Sequence, residues 1–152
     1  MEKTQKEQMD EKILWLSRYR KALRRQQLLS MDLEQARDAV LCHAPAEDGM
    51  PRASGHSDRT GRAAERLMRA EARYAAAVSD TKRILGEVRW SVSTVRNANQ
   101  REILRRRYVL GQTLTVISEQ MHLEYRWVRR LHQRALLAAV TSWPEQNDNK
   151  AS

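Results

Sequence analysis

The arginine side chains of residues 96–140 are the groups in this sequence whose type and spacing best suit chemistry with a partner. The segment contains nine arginines, no lysine and three acidic residues, a net charge of +6, in a chain of 152 residues with a net charge of +9. A guanidinium group donates two parallel hydrogen bonds to a phosphate or to the edge of a guanine, so an arginine-rich segment is typical of nucleic-acid binding. Charge alone is equally consistent with a solvated basic surface that has no partner.

Other residues capable of chemistry lack the neighbours that they need. Four residues of the types found in catalytic triads lie in one stretch: Ser54, His56, Ser57 and Asp58. That stretch is rich in Gly and Pro and has no predicted scaffold to hold a triad in place. His122 and His132 have no cysteine near them, and no Gly-Lys-Ser/Thr sequence follows Gly49 or Gly55. We therefore expect no enzymatic activity, no metal site and no cofactor.

Two long helices are predicted on either side of one loop. Five of the eight Gly and Pro residues fall in residues 43–61, which are therefore predicted to form a flexible loop. Residues 1–42 contain neither Gly nor Pro and carry apolar residues at helical spacing, so they are predicted to form one long N-terminal helix. A second long helix is predicted over residues 58–95, with Ser57 or Asp58 as its N-cap.

The second long helix carries a seam with the period of a coiled coil. Its positions alternate in steps of four and three: Leu67, Glu71, Tyr74, Val78, Thr81, Leu85, Val88, Val92 and Val95. A repeat of 3.5 residues indicates helices that pack side by side. The sequence therefore predicts that the two long helices form an antiparallel hairpin, either alone or as half of a dimeric bundle.

The first helix after this hairpin is predicted to be short, because start and stop signals lie close together. Asn97 or Asn99 can serve as its N-cap. The helix is predicted to run from Gln100 to about Val109 and to end at Gly111, since glycine is favoured just beyond a helix C-terminus.

Two further helices complete a small C-terminal domain. Thr113 can cap a helix over residues 114–121, and a three-residue turn leads into a helix from residue 125 to about 141. A short helix, a tight turn and a longer helix are the elements of a helix-turn-helix. We therefore predict an all-α fold, in which a long, coiled-coil-like antiparallel hairpin precedes a small helix-turn-helix DNA-binding domain over residues 97–141. A disordered tail is predicted over residues 142–152.

The last two helices are predicted to pack against each other through one face of each. The apolar positions are Ile117 and Met121 in one helix and Val128, Leu131 and Ala135 in the other. The opposite face of the last helix carries Arg126, Trp127, Arg129, Arg130, Gln133 and Arg134. A helix that packs on one face and presents arginines on the other fits the major groove of DNA, where its N-terminal turn reaches base edges.

The sequence ILRRRYVLGQTLTVISEQMHLEYRWVRRLHQRAL, residues 103–136, resembles region four of bacterial primary sigma factors, the helix-turn-helix that binds the upstream promoter element. Most of residues 10–140 resemble the small phage and prophage transcription regulators of the RinA/ArpU type. Three stretches carry that wider resemblance: ILWLSRYRKAL, SGHSDRTGRAAERL and RLHQRAL. It implies a regulator of phage or prophage promoters.

The resemblance to region four implies eight DNA-binding residues. Base contacts correspond to Tyr125, Arg126, Arg129 and Arg130, and backbone contacts correspond to Thr113, Arg105, Arg107 and Arg134. Glu124 replaces the small hydroxyl residue expected before the last helix, and we expect its carboxylate to cap that helix instead. Trp127 and Arg130 replace polar residues, so the preferred DNA sequence need not be a host promoter element.

These features together predict a sequence-specific, DNA-binding transcription regulator, an activator of phage or prophage genes, with its recognition helix over residues 125–141. The expected partner of the C-terminal domain is double-stranded DNA, and the long hairpin is expected to bind either a second copy of the chain or host RNA polymerase. Two other functions stay open. One is a helical scaffold or adaptor that binds a protein through the 67–95 seam, and the other is a DNA-recognition subunit of phage packaging.

The expected location is the cytoplasm of the bacterial host cell, in association with the nucleoid. The longest apolar run, Ala135–Val140, is far shorter than the ~20 residues that span a membrane. The sequence opens with charged residues rather than an apolar signal segment, and Cys42 is the single cysteine, which suits a reducing compartment.

Overall fold

The computed structural model describes residues 2–42 and 55–144, and within these ranges the chain is helical and contains no β-strand. The all-α prediction is confirmed, with a long helical hairpin followed by a small helical unit. The elements are α1 (Gln5–Leu16), α2 (Arg18–Cys42), α3 (Gly55–Ser93), α4 (Ala98–Leu104), a π-helix (Arg105–Val109), α5 (Leu114–Met121) and α6 (Tyr125–Ala138). No helix in the described ranges is both long and apolar enough to cross a membrane.

The predicted N-terminal helix is present but is interrupted at Ser17, where α1 ends and α2 begins one residue later. Thr4 caps α1 through a capping box with Glu7, the two residues exchanging hydrogen bonds between side chain and backbone. At the bend, Arg18 Nε donates to the carbonyl oxygen of Trp15 at 3.0 Å. A side chain that competes for a helix carbonyl is one of the known causes of helix bending.

The start of the second long helix differs from the prediction. α3 begins at Gly55, so residues 55–61 are helical rather than part of the predicted 43–61 loop, and residues 43–54 lie outside the described ranges. Asp58 is in the first turn of α3 and pairs with Arg62 at 3.2 Å instead of standing at the N-cap. Gly61 is tolerated inside the helix because one glycine costs only about 1 kcal/mol there.

The chain forms two compact units whose boundaries fall inside α2 and α3. Unit 1 contains the described residues 2–21 and 83–144, and unit 2 contains the described part of residues 22–82. Both boundaries fall within helices rather than at loops. Unit 1 joins two distant parts of the chain because apolar residues from α1, from the last turns of α3 and from α6 share one buried cluster.

Unit 2 is held by a narrow seam between α2 and α3. Leu33 and Ala36 of α2 are buried against Ala70 of α3, and two half-buried residues of α3, Leu67 and Tyr74, flank them. Asp32 pairs with Arg66 at 3.3 Å on the partly exposed edge. Alanines at the contact let two helix backbones approach closely, but they bury little apolar area.

The predicted coiled-coil seam of α3 is wrong at one position in this unit, Glu71. Glu71, which the pattern placed in the seam, is exposed, whereas Ala70 and Ala77 are buried. The column through Leu67, Tyr74 and Thr81 is shared by the prediction and the structure. Ala70 rather than Glu71 packs against α2, since burying a carboxylate without a partner is costly.

Unit 1 has two apolar clusters. The larger joins α1, α3, α4, the π-helix and α6, and its buried members are Leu16, Val88, Val92, Val95, Leu104, Tyr108, Ala135, Leu136 and Ala139. The smaller joins α4, α5 and α6 through Ile103, Ile117, Val128 and Leu131. Three residues of the predicted seam are therefore buried in the core of this unit: Val88, Val92 and Val95.

Candidate nucleic-acid interface

The helix-turn-helix of unit 1 is formed by α5 and α6, and the predicted bounds of α5 are confirmed. Thr113 is its N-cap, with the Thr113 hydroxyl accepting a hydrogen bond from the Val116 N–H at 3.3 Å. His122 ends α5 in the left-handed conformation, with φ of 53°. α6 begins at Tyr125 as predicted but ends at Ala138, three residues before the expected end.

The packing of α5 on α6 follows the predicted stripes, with one difference. Ile117 of α5 is buried with Val128 and Leu131 of α6, and Ile103 of α4 completes the cluster. Ala135, which was predicted to face α5, belongs to the larger cluster instead. The N-terminal part of α6 is thus held by α5, and its C-terminal part by α1, α3 and the π-helix.

The opposite face of α6 is exposed and strongly basic. Its exposed polar residues are Arg126, Arg129, Arg130, Gln133 and Arg134. None of these five side chains has a hydrogen bond or an ion pair with any other residue in the described part of the chain. The Arg134 guanidinium lies 5.6 Å from the centre of the Trp127 ring, and Trp127 is 39 % exposed. The hydrogen-bond donors of these five side chains are therefore available to a partner.

The start of α6 shows one departure from expectation. Glu124 occupies the N-cap position, but its side chain makes no capping hydrogen bond, so the prediction that its carboxylate caps the helix is wrong. The first N–H groups of α6 are therefore not capped by that side chain. Tyr125, the first residue of the helix, is 46 % exposed and lies beside these groups.

Two of the predicted backbone-contacting arginines come from the π-helix, and both are exposed. Arg105 forms a two-bond fork with Glu102, at 2.9 Å from Nε and 2.8 Å from Nη2. Hydrogen bonding from Arg105 is the main cause that holds the pKa of Glu102 below its ordinary value. Arg107 donates to the backbone carbonyl of Gln112 at 3.1 Å. To bind a phosphate, Arg105 would have to exchange its hydrogen bonds with Glu102 for bonds with the phosphate. Arg107 uses one N–H group for the Gln112 carbonyl and keeps its other donors available.

Arg106 is a residue that the sequence analysis did not distinguish from its neighbours. It is half-buried, and its Nε donates to Glu102 at 2.6 Å. Its Nη1 donates to Gln120 Oε1 of α5 and lies 3.5 Å from Gln112 Oε1. Arg106 therefore connects the π-helix to α5, and its i, i+4 spacing from Glu102 is the signal that could have revealed this role.

A polar pair of the buried Tyr108 and the half-buried His132 fixes α6 against the π-helix. The Tyr108 hydroxyl and His132 Nε2 are 2.9 Å apart, and the two rings stack with 5.8 Å between their centres. Burial raises the pKa of Tyr108 to about 12 and lowers the pKa of His132 to about 4. His132 is therefore neutral at physiological pH.

The end of α6 is tied to α1 and α3 by side-chain bonds to its backbone. Lys12 Nζ donates to the Leu137 carbonyl at 2.9 Å, and Ser91 Oγ donates to the Val140 carbonyl at 2.6 Å. Thr94 Oγ1 accepts from the Val140 N–H at 3.0 Å. These contacts could not be predicted from local sequence patterns, because the residues that they join lie 46 to 125 positions apart along the chain.

All eight predicted DNA-binding residues lie in unit 1 and are exposed: Arg105, Arg107, Thr113, Tyr125, Arg126, Arg129, Arg130 and Arg134. In the described ranges, no cluster of three or more His, Cys, Asp or Glu side chains has the arrangement of a metal site. Comparison of the chain with protein-family models, with curated proteins and with solved structures finds no match in any of the three.

Proposed function

We propose that the protein binds double-stranded DNA sequence-specifically through α6 and acts as a transcription regulator of phage or prophage genes. The observation that carries this proposal is the exposed face of α6, where four arginines and Gln133 have no hydrogen-bond or ion-pair partner in the described chain. Arginine and glutamine are the side chains that form paired hydrogen bonds with guanine and adenine in the major groove.

The packing of α6 supports an insertion of its N-terminal turns into the groove. Val128 and Leu131 hold α6 against α5, so that Arg126, Arg129 and Arg130 are presented on a helix that is fixed from behind. Tyr125 stands at the leading end, where apolar contact with a thymine methyl group is available. We assign base contacts to these four residues.

We assign contacts with the DNA backbone phosphates to residues that lie outside the centre of the exposed face of α6. The Thr113 hydroxyl accepts a hydrogen bond from a backbone N–H, which leaves its own hydrogen to donate to a phosphate oxygen at the start of α5. Arg107 and Arg134 supply further positive charge, and Arg105 does so after exchange of Glu102 for phosphate. Contacts of this kind fix the register of the protein on DNA without selecting a sequence.

The regulatory part of the proposal rests on the resemblance to sigma region four and to the RinA/ArpU type. It assigns activation of phage promoters, contact with host RNA polymerase and action in the bacterial cytoplasm. An adaptor that uses the 67–95 seam is the less favoured function, because the seam residues from Val88 onward are buried in unit 1.

Selection of bound sequences from random duplex DNA, at two salt concentrations, tests the proposal. We expect one enriched motif, and Arg130→Ala is expected to weaken binding to it by about 1–3 kcal/mol with little effect on random DNA. Arg107→Ala is expected to weaken binding to both DNAs alike and to reduce the salt slope by about 1. Arg37→Ala, which removes an exposed arginine from α2, is the matched control and leaves binding unchanged. Enrichment of no sequence, with affinity that only falls with salt, would refute sequence-specific binding.

A further inference from the structure

A shallow groove lies between α1 and α6, beside the basic face of α6. It has a volume of about 200 Å³. Its lining residues are Gln5 and Met9 from α1 and Arg130, Gln133, Arg134 and Leu137 from α6. Residues that are more than 120 positions apart in the sequence thus form the two walls of one surface feature within unit 1.

The α1 wall of this groove is fixed in place by packing. Met9 and Ile13 pack on the larger apolar cluster, in which Leu16 is fully buried. Lys12 Nζ donates to the Leu137 carbonyl at 2.9 Å and so ties α1 to α6. The position of Gln5 relative to Arg134 is therefore set by the core rather than by a mobile end.

The chemistry of the lining favours a negatively charged group. Arg130 and Arg134 contribute two guanidinium groups, and Gln5 and Gln133 contribute two carboxamides that can each donate hydrogen bonds. The lining contains no acidic side chain, and both arginines lack an ion-pair partner in the described ranges. An oxyanion with several acceptor atoms matches this set of donors.

We propose that Arg134 and Gln5, the latter in α1, bind a backbone phosphate of the DNA duplex in this groove, whereas Arg130 keeps the base contact assigned to it. Gln5 is then a further DNA-contacting residue. The proposal rests on the proposed function, because the duplex is the ligand that places a phosphate beside α6. Arg130 and Arg134 lie on the same helix face as Arg126, so the groove continues the surface assigned to DNA. α1 flanks this face of α6 around Leu137. In this arrangement only the earlier turns of α6 enter the major groove, and the first turn of α1 lies at the duplex backbone.

The test adds a charge at Gln5 and counts phosphate contacts by salt dependence. Each added phosphate contact steepens the slope of log K against log salt by about 0.9. For Gln5→Lys we therefore expect a slope steeper by about 0.9, so that the loss of affinity between 50 and 200 mM salt becomes about threefold larger. For Gln5→Glu, whose carboxylate would pair with the arginines in the groove, we expect weaker binding and a shallower slope.

Gln27→Lys and Gln27→Glu are the matched controls, because Gln27 is an exposed glutamine of α2 in unit 2 and undergoes the same charge changes. We expect both to keep the wild-type slope. If the Gln5 variants have the same slopes as the Gln27 variants while the wild-type protein binds its selected motif, the groove is not a phosphate site and the proposed function still stands. If the wild-type protein binds no duplex DNA, both proposals fail.

Discussion

The two compact units stabilise helices in different ways. Unit 2 relies on a seam in which Leu33, Ala36 and Ala70 are buried, and four large apolar side chains in it are at least 59 % exposed: Leu28, Met31, Leu41 and Met68. Unit 1 buries two larger clusters and adds polar bonds between helices, such as Tyr108 with His132. The unpaired arginines of α6 lie in the unit that has the larger core.

This contrast has a physical basis in the charge of α6. Several exposed arginines on one face repel each other, and a basic face without partners adds nothing to the stability of the free protein. Such a face persists only where burial behind it is sufficient, and Val128, Leu131, Ala135 and Leu136 supply that burial. In unit 2, by contrast, Asp32 of α2 pairs with Arg66 of α3 across the seam.

The largest expected effect is the loss of core packing in unit 1. Ile103→Ala removes a fully buried side chain from the cluster of α4, α5 and α6 and is expected to cost about 3–4 kcal/mol of unfolding free energy. Leu33→Ala, in unit 2, is expected to cost about 2 kcal/mol, because its neighbours are alanines and half-buried residues. Urea unfolding followed by circular dichroism measures both.

Tryptophan fluorescence makes that comparison specific to one unit. Trp15, Trp90, Trp127 and Trp143 are the four tryptophans of the chain, and all four belong to unit 1. Ile103→Ala should therefore shift the fluorescence transition strongly. Equal free-energy losses for Ile103→Ala and Leu33→Ala would show that the two cores contribute alike and would contradict the contrast drawn above.

The second effect is a pH dependence of the stability of unit 1 that comes from the half-buried His132. Burial lowers the pKa of His132 to about 4 from an ordinary value of 6.5. Because the folded-state pKa is the lower one, the stabilisation is complete above pH 6.5 and is lost as the pH falls towards 4. The loss amounts to at most about 3 kcal/mol, since one pKa unit corresponds to about 1.4 kcal/mol.

His132→Gln is the control for this effect, because glutamine retains a hydrogen-bonding group near Tyr108 but does not titrate. Acidic groups such as Glu102 titrate in both proteins, so the difference between the two stability curves from pH 7 to pH 4 isolates His132. Parallel curves would mean that His132 is protonated without cost and is not buried as described.

The short helices of the DNA-binding region were predictable because local signals define them. Thr113 and Asn97 make the predicted capping bonds, and the positive φ of Gly111 follows a helical segment as expected. These signals act over three or four residues and depend little on the rest of the fold. The bounds of α5 agree with the prediction for this reason.

The placement of α1 was not predictable from the same kind of signal. Lys12 and Gln5 meet α6 only because Leu16 enters a cluster formed by residues 88–139. Periodicity shows which face of α1 is apolar but not which helix covers it. For the candidate site, exposure of the eight residues followed from the pattern, whereas the pairing of Arg105 and the structural role of Arg106 depend on where Glu102 and Gln120 lie in space.

The smallest effects concern two glycines, one in each unit, that have different backbone conformations. Gly111 in unit 1 has φ of +73°, and a Cβ there would lie 2.5 Å from Arg20 Cζ. Gly111→Ala is therefore expected to cost about 1–2 kcal/mol, from backbone strain and from displacement of Arg20, which donates to the Val109 carbonyl at 3.4 Å. Gly61 in unit 2 is inside α3 with open space around it, and Gly61→Ala is expected to stabilise the protein by about 0.5–1 kcal/mol.

Gly86→Ala tests whether the effect of a glycine substitution on stability depends on the local backbone conformation or on the unit that contains the glycine. Gly86 belongs to unit 1, but it lies inside α3 and a Cβ there meets nothing within 4 Å. It should therefore behave like Gly61 and raise the thermal midpoint, while Gly111→Ala lowers it. A destabilising Gly86→Ala would mean that unit 1 resists any added atom near its core, and that the sign of a glycine substitution is set by the unit rather than by φ.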